Sequence, residues 1–110
     1  MLPKRQRLTT AAFNHYFKTG RRYQGRYLTL IYTPTPTLHG AVVVGKKVYK
    51  RAVDRNQLRR QLYPVIRTFA HAEGQTGVFQ CLVKPAAASA TVAAVRAELR
   101  TLLAEATRPR

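Results

Sequence analysis

Apolar side chains recur along this chain at helical spacing, then in short continuous runs, then at helical spacing again. Phe13 and Phe17 stand four apart behind Thr9 and Thr10. Either threonine can cap a helix running to about Thr19, with Gly20 as its stop. The aromatic and β-branched run from Tyr27 to Tyr32 predicts a strand, and RRYQGR before it reads as irregular. Proline spacing makes Thr33 to Gly40 a loop, and Ala41 to Val44 a second strand ended by Gly45. Lys46 to Lys50 reads either as a short third strand or as a loop. From Ala52 to about Ala72 the period returns to 3.6, with Leu58, Leu62, Val65 and Phe69 on one stripe. EGQTG is then a turn, Val78 to Lys84 a strand, and Pro85 opens an Ala/Ser stretch. A last helix begins near Thr91, with Val92, Val95, Leu99 and Leu102 as its core face.

That order predicts an α+β fold, α-β-β-β-α-β-α, in which helices cover one mostly antiparallel four-stranded sheet as a two-layer sandwich. Pro64 falls inside the long helical pattern, where it removes a hydrogen bond to the Arg60 carbonyl and costs roughly 3 kcal/mol. The helix either kinks there or is two pieces; the unbroken apolar register from Leu58 to Phe69 favours a kink. At 110 residues with 45% apolar content the chain predicts one folded domain, residues 1–110.

Charge changes the picture. The formal net charge is +16, a balance hard to explain without a polyanionic partner. Residues 1 to 27 carry seven basic groups and no acid, and residues 46 to 67 carry eight against Asp54 alone. Glu73, Glu98 and Glu105 lie in the last third, so the first two thirds are expected to build the binding surface. On the long helix Asn56, Arg60, Tyr63 and Arg67 repeat the apolar spacing about 160° away, with Arg55 and Arg59 on the shoulder. One side can be buried while the other offers guanidinium forks and an amide to phosphates.

Arg55, Asn56, Arg59 and Arg60 could instead form a solvated face, but the acids four residues away that would neutralise it are missing apart from Asp54. Lys46, Lys47, Lys50 and Arg51, on the approach to the helix, are expected to grip phosphates at the same site. By spacing alone Phe13 and Phe17 are more often core than ligand-binding. The four acids are scattered, and His15, His39 and His71 lie far apart without ligand spacing, so neither a catalytic residue nor a metal site is expected. No run spans a membrane, and MLPKRQRLTT lacks the apolar stretch of a secretory signal. Cys81 reads as a buried filler, and the chain as cytosolic.

At KKVYKRAVDRNQLRR this chain resembles the protein subunit of bacterial ribonuclease P. The matching positions are Lys46, Lys47, Arg51, Ala52, Arg55, Asn56, Leu58, Arg59 and Arg60. The likeness continues through LPKRQRL at the start, Phe13 and Phe17, Gly20-Arg21, VGKK, and Lys84-Pro85. Departures are Gln57 in the Arg-Asn-Arg triplet, Tyr63-Pro64 and Ile66-Arg67 further along, and Gly45 before the double lysine.

The resemblance implies a fold like the second domain of ribosomal protein S5, with a left-handed crossover against the usual right-handed preference. It implies a holoenzyme that removes the 5′ leader of precursor tRNA, with chemistry carried by an RNA subunit and its magnesium ions. The partners would be that RNA and the precursor tRNA leader, with no DNA, no membrane and no cofactor held by the protein. RNA contacts would fall to Lys46, Lys47, Lys50, Arg51, Arg55, Asn56, Arg59, Arg60 and Arg67. Leader contacts would fall to Phe13, Phe17, Ile31 and Lys84. Two rivals share parts of the pattern: a ribosomal RNA-binding module, and a protein-only nuclease, which the missing carboxylates disfavour.

Overall fold

The computed structural model describes residues 8–108, so the opening segment that carries part of the resemblance lies outside the described residues. Helix α1 spans Thr10–Thr19, and Thr9 caps it by accepting the Ala12 N–H at 3.2 Å. Strands β1 (Arg21–Gln24), β2 (Leu28–Thr33) and β3 (Leu38–Val43) follow, then helix α2 (Ala52–Glu73), strand β4 (Gly77–Val83) and helix α3 (Val92–Ala106). Thr91 caps α3 by accepting the Ala94 N–H at 3.1 Å. A 3₁₀ turn, Pro85–Ser89, joins β4 to α3. At the other end of α2, Gly74 takes φ 61°, a left-handed C-cap that a residue with a Cβ adopts only under strain.

The strands form one sheet in the order β1-β2-β4-β3. The β1–β2 and β2–β4 pairs are antiparallel, and β3–β4 is parallel, joined by α2. The architecture is thus the expected α+β sandwich, but its strands are partly different. Arg21–Gln24, read as irregular, pairs with Tyr32 back to Thr29. It is an edge strand with mostly exposed charged side chains, so no apolar alternation marks it. Leu38–Gly40, read as loop, belongs to β3 through its pairing with β4. Lys46 to Lys50 is turn, not strand: Gly45 accepts the N–H groups of Val48 and Tyr49 instead.

Period two in β2 and β4 separates two faces. Leu28, Leu30, Phe79 and Cys81 meet Leu58, Leu62, Ile66, Val95, Leu99 and Leu103 in the core under α2 and α3. Thr29, Ile31, Val78 and Gln80 turn to the other face, where α1 lies against β2 and β4. Val92, expected in the core, is 41% exposed at the start of α3. Leu103 and Ala106, not expected there, are buried in its place further along. Helix α2 runs unbroken through Pro64, so the two-piece alternative falls. Pro64 and Arg60 are both exposed, where a lost helical hydrogen bond is least damaging. Among the described residues, no helix is long and apolar enough to cross a membrane.

Candidate nucleic-acid interface

At about 100° per residue, α2 has a buried stripe and two flanks. Gln57, Gln61 and Thr68 occupy the flank toward α3, lining hollows with Val92, Arg96 and Arg100. Arg55, Arg59 and Tyr63 occupy the flank toward β3. Tyr63 corrects the sequence reading: expected on the polar stripe, it is 8% exposed and its hydroxyl accepts the Val42 N–H at 3.1 Å. Edge strand β3 presents that N–H away from β4, so the tyrosine satisfies a donor no neighbouring strand reaches. The same contact fixes α2 along the sheet edge with its basic flank beside β3.

Around that flank the expected cations gather. Val44 and Val48 are buried, and between them Lys46 and Lys47 are exposed. Lys50 and Arg51 are exposed just before α2, and Asn56, Arg60 and Arg67 are exposed on the outer face of α2 between its two flanks. Among the described residues the one ion pair is Arg51–Asp54 at 3.3 Å, which leaves the remaining cations on this surface without an acidic neighbour. Arg59 donates to Oδ1 of Asn56, so the two side chains face the same solvent together. Arg55 is half-buried, and its Nη1 donates to the carbonyls of Tyr49 at 3.0 Å and Lys50 at 2.7 Å. It therefore braces the lysine-bearing turn against α2 as well as offering its remaining donors outward.

The sheet face under α1 has a different chemistry. Helix α1 buries no residue fully, and its Phe13 and Phe17 rings lie stacked at 6.0 Å, both half-buried. The Arg22 guanidinium covers Phe17 at 4.5 Å and donates to its carbonyl at 3.2 Å. Gln80 is fully buried, and its Nε2 donates to the Phe13 carbonyl at 2.9 Å. A Cβ on Gly20 would collide with Ile31, so glycine there lets the helix end settle onto the sheet. Ile31 itself is 0% exposed beneath α1, so its expected contact with a leader is corrected: this side chain is packing, not surface. Beyond α1 the face continues through half-buried Ala41, Leu82 and His39 to Val43, which is 41% exposed.

Lys84, expected as a leader contact, is half-buried, and its Nζ donates to the Gly25 carbonyl at 2.6 Å. It shares the β1–β2 turn with Glu98, whose carboxylate accepts the N–H groups of Arg26 at 2.5 Å and Tyr27 at 2.8 Å. Sequence reasoning passed over Gln80, Arg22 and Glu98. Gln80 alone left a trace, as the one amide inside the apolar run VFQCLVK. Glu98 acquires its role only through partners distant in sequence, and Arg22 through the turn that brings it back over Phe17.

His15, His39 and His71 stay apart, and no three His, Cys, Asp or Glu side chains converge among the described residues. The Cys81 thiol, fully buried, is pushed up to about 12 by burial and secondarily by the Glu98 charge.

Fold and surface together define an α+β protein whose long helix sets a basic flank beside a sheet face carrying stacked aromatics. The family model for ribonuclease P matches residues 2–107, and the chain belongs to that family. It is 36% identical over 103 residues to a ribonuclease P protein component from Microcystis aeruginosa, covering 86% of this chain and 83% of that one. A Synechococcus ribonuclease P protein component is 40% identical over 74 residues, 61% of this chain and 56% of that one. Among solved structures, the Staphylococcus aureus RNase P protein superposes with TM-score 0.76 at 19% identity, covering 93% of this chain and 95% of that one. The Thermotoga maritima RNase P protein also gives 0.76, at 21% identity over 90% and 96%.

Proposed function

We propose that this chain is the protein subunit of ribonuclease P, binding the catalytic RNA and the 5′ leader of precursor tRNA in the cytoplasm. The observation that carries this reading is the juxtaposition of two surfaces. A basic flank on α2 stands at the β3 edge, and the opposite sheet face carries α1 with its Phe13 and Phe17. Lys46, Lys47, Lys50, Arg51, Arg59, Arg60 and Arg67 supply phosphate contacts, and Asn56 a polar contact to a ribose or base. The two phenylalanines supply stacking, which accepts any base and so suits a substrate set with varied leaders. Lys84 stands at the end of β4, where it can add a phosphate contact while holding the β1–β2 turn.

The chemistry of leader removal falls to the RNA subunit and its magnesium ions. Among the described residues Asp54 pairs with Arg51, and Glu98 is engaged by backbone N–H groups. What the protein contributes is affinity and position.

The test is reconstitution with a cognate RNA subunit and precursor tRNAs of graded leader length. The protein should raise substrate affinity more as the leader lengthens, and six to ten phosphate contacts should cost about 10³–10⁵ in RNA affinity between 50 and 200 mM salt. Affinity indifferent to leader length would remove the leader from this account. Cleavage by protein freed of RNA would replace the whole reading with a protein nuclease.

A further inference from the structure

We propose that the groove between α2 and α3 is a second RNA-binding surface, one that takes backbone phosphates of the RNA subunit through Arg96 and Arg100. The proposal rests on the ribonuclease P reading above and adds a surface that α2 shares with α3.

Helix α3 sorts its charges by side. Arg96 and Arg100 stand four residues apart on the flank toward α2, lining a groove of about 360 Å³ with Pro64, Val65, Thr68 and Phe69. Glu98 points the other way, to the N–H groups of Arg26 and Tyr27, and Glu105 falls on that same side of the helix. Pro64 and Thr68 also wall an adjoining hollow that holds Arg67 and His71. Arg96 and Arg100 line the groove itself, and Arg67 and His71 stand on the outer face of α2 beyond Pro64 and Thr68.

Their mutual repulsion has no internal remedy. Among the described residues, none of Arg67, Arg96 and Arg100 has an ion pair, and the Nε of Arg96 is buried without a hydrogen-bond partner. That nitrogen lies too deep for a ligand to reach, so the contact falls to the outer nitrogens of half-buried Arg96 and exposed Arg100. A phosphate oxygen fits, because guanidinium forks match phosphate geometry.

The occupant is backbone, not base, and it is not the leader. The one aromatic ring in the groove, Phe69, is half-buried against the core and offers no open stacking face. Phe13 and Phe17 lie beyond the sheet, on its opposite face, in a molecule 24 Å across its shortest axis. An RNA segment seated between α2 and α3 is therefore a different segment from one stacked on α1, and the RNA subunit is the large structured RNA present.

The experiment compares the unsubstituted protein with Arg96→Gln/Arg100→Gln and with Arg96→Lys/Arg100→Lys. Each is titrated onto the RNA subunit across a salt series, with melting curves recorded alongside. Loss of two phosphate contacts should lower the magnitude of the log–log salt slope by about 1.4–1.8 for the glutamine pair. Affinity at low salt should fall at least tenfold. The lysine pair, which keeps the charges, should retain most of the slope; if the glutamine pair melts early, the single variants Arg96→Gln and Arg100→Gln should each lower it by about 0.7–0.9. An unchanged slope in a folded glutamine pair overturns the proposal. So does a loss confined to precursor tRNA binding, or to association with another protein, because either would give the groove a different occupant. Leader-length dependence measured in the unsubstituted holoenzyme decides the underlying reading separately, since neither arginine touches the α1 face.

Discussion

The Tyr63 hydroxyl accepts the Val42 N–H at 3.1 Å across the outer edge of the sheet. This bond ties the middle of α2 to edge strand β3 and so sets the height at which Arg55 and Arg59 stand beside the sheet. Tyr63→Phe keeps the ring and leaves the N–H buried without an acceptor, which should cost about 1–3 kcal/mol. Urea denaturation measures that loss, and amide exchange at Val42 should accelerate more than at Cys81 on central strand β4.

Arg55 acts on the lysine turn through the Tyr49 and Lys50 carbonyls. Arg55→Ala should loosen residues 46–51 in the free protein, seen as faster amide exchange there with α2 otherwise intact. RNA affinity should fall by more than one phosphate contact accounts for. Combining it with Arg59→Ala should weaken assembly with the RNA subunit without unfolding the protein. Normal assembly by that double variant would move the RNA contact elsewhere.

Phe13→Ala and Phe17→Ala should each weaken leader binding by about 1–3 kcal/mol, the range for one stacked base. Stability should change less, because α1 has no fully buried side chain. Binding of a leaderless substrate should be unaffected, and an equal loss with and without leader would assign both rings to packing alone.

Glu98 secures the β1–β2 turn through the Arg26 and Tyr27 N–H groups, and Gly25 leaves room for its carboxylate, since a Cβ there would lie 2.5 Å from Cδ. Glu98→Ala should destabilise the protein by about 1.5–3 kcal/mol, the scale of a charge-assisted hydrogen bond. Thermal melting reads this directly, and a neutral outcome would mean that the turn holds its shape unaided.

The buried Cys81 thiol should resist thiol reagents at pH 8 until the protein unfolds. Its value rises from 9.0 in the open chain to about 12 when folded, so the folded state favours the neutral form. The stability it contributes is whole below pH 9 and declines as pH rises toward 12. Comparing denaturation of the protein with that of Cys81→Ala between pH 8 and 10.5 isolates this part. A pH-independent difference would contradict it.

Local patterns of residues were enough for most elements, because periodicity and capping act within a few positions. Thr9, Gly20, Thr91 and the stripe of Leu58, Leu62 and Val65 each announce their role to near neighbours. The run of cations from Lys46 to Arg67 likewise showed in the sequence, since charge needs no partner to be read. Edge strand β1 escaped notice because its pairing with β2, not its own side chains, makes it a strand.

Only the tertiary structure decided which side chains of α2 meet solvent and which meet β3. A helical wheel places Tyr63 about 140° from Leu58, yet its ring is buried and its hydroxyl accepts the Val42 N–H of β3. The same long-range packing buries Ile31 beneath α1, turns Glu98 toward the β1–β2 turn, and delivers Arg96 and Arg100 to the groove beside α2. The acids of the last third had pointed the basic surface away from α3, yet α3 separates its charges by flank. Sequence carries sign and period, which are properties of a segment. Contact between segments depends on how strands are ordered and where helices cross them, and that is settled only when the whole core packs.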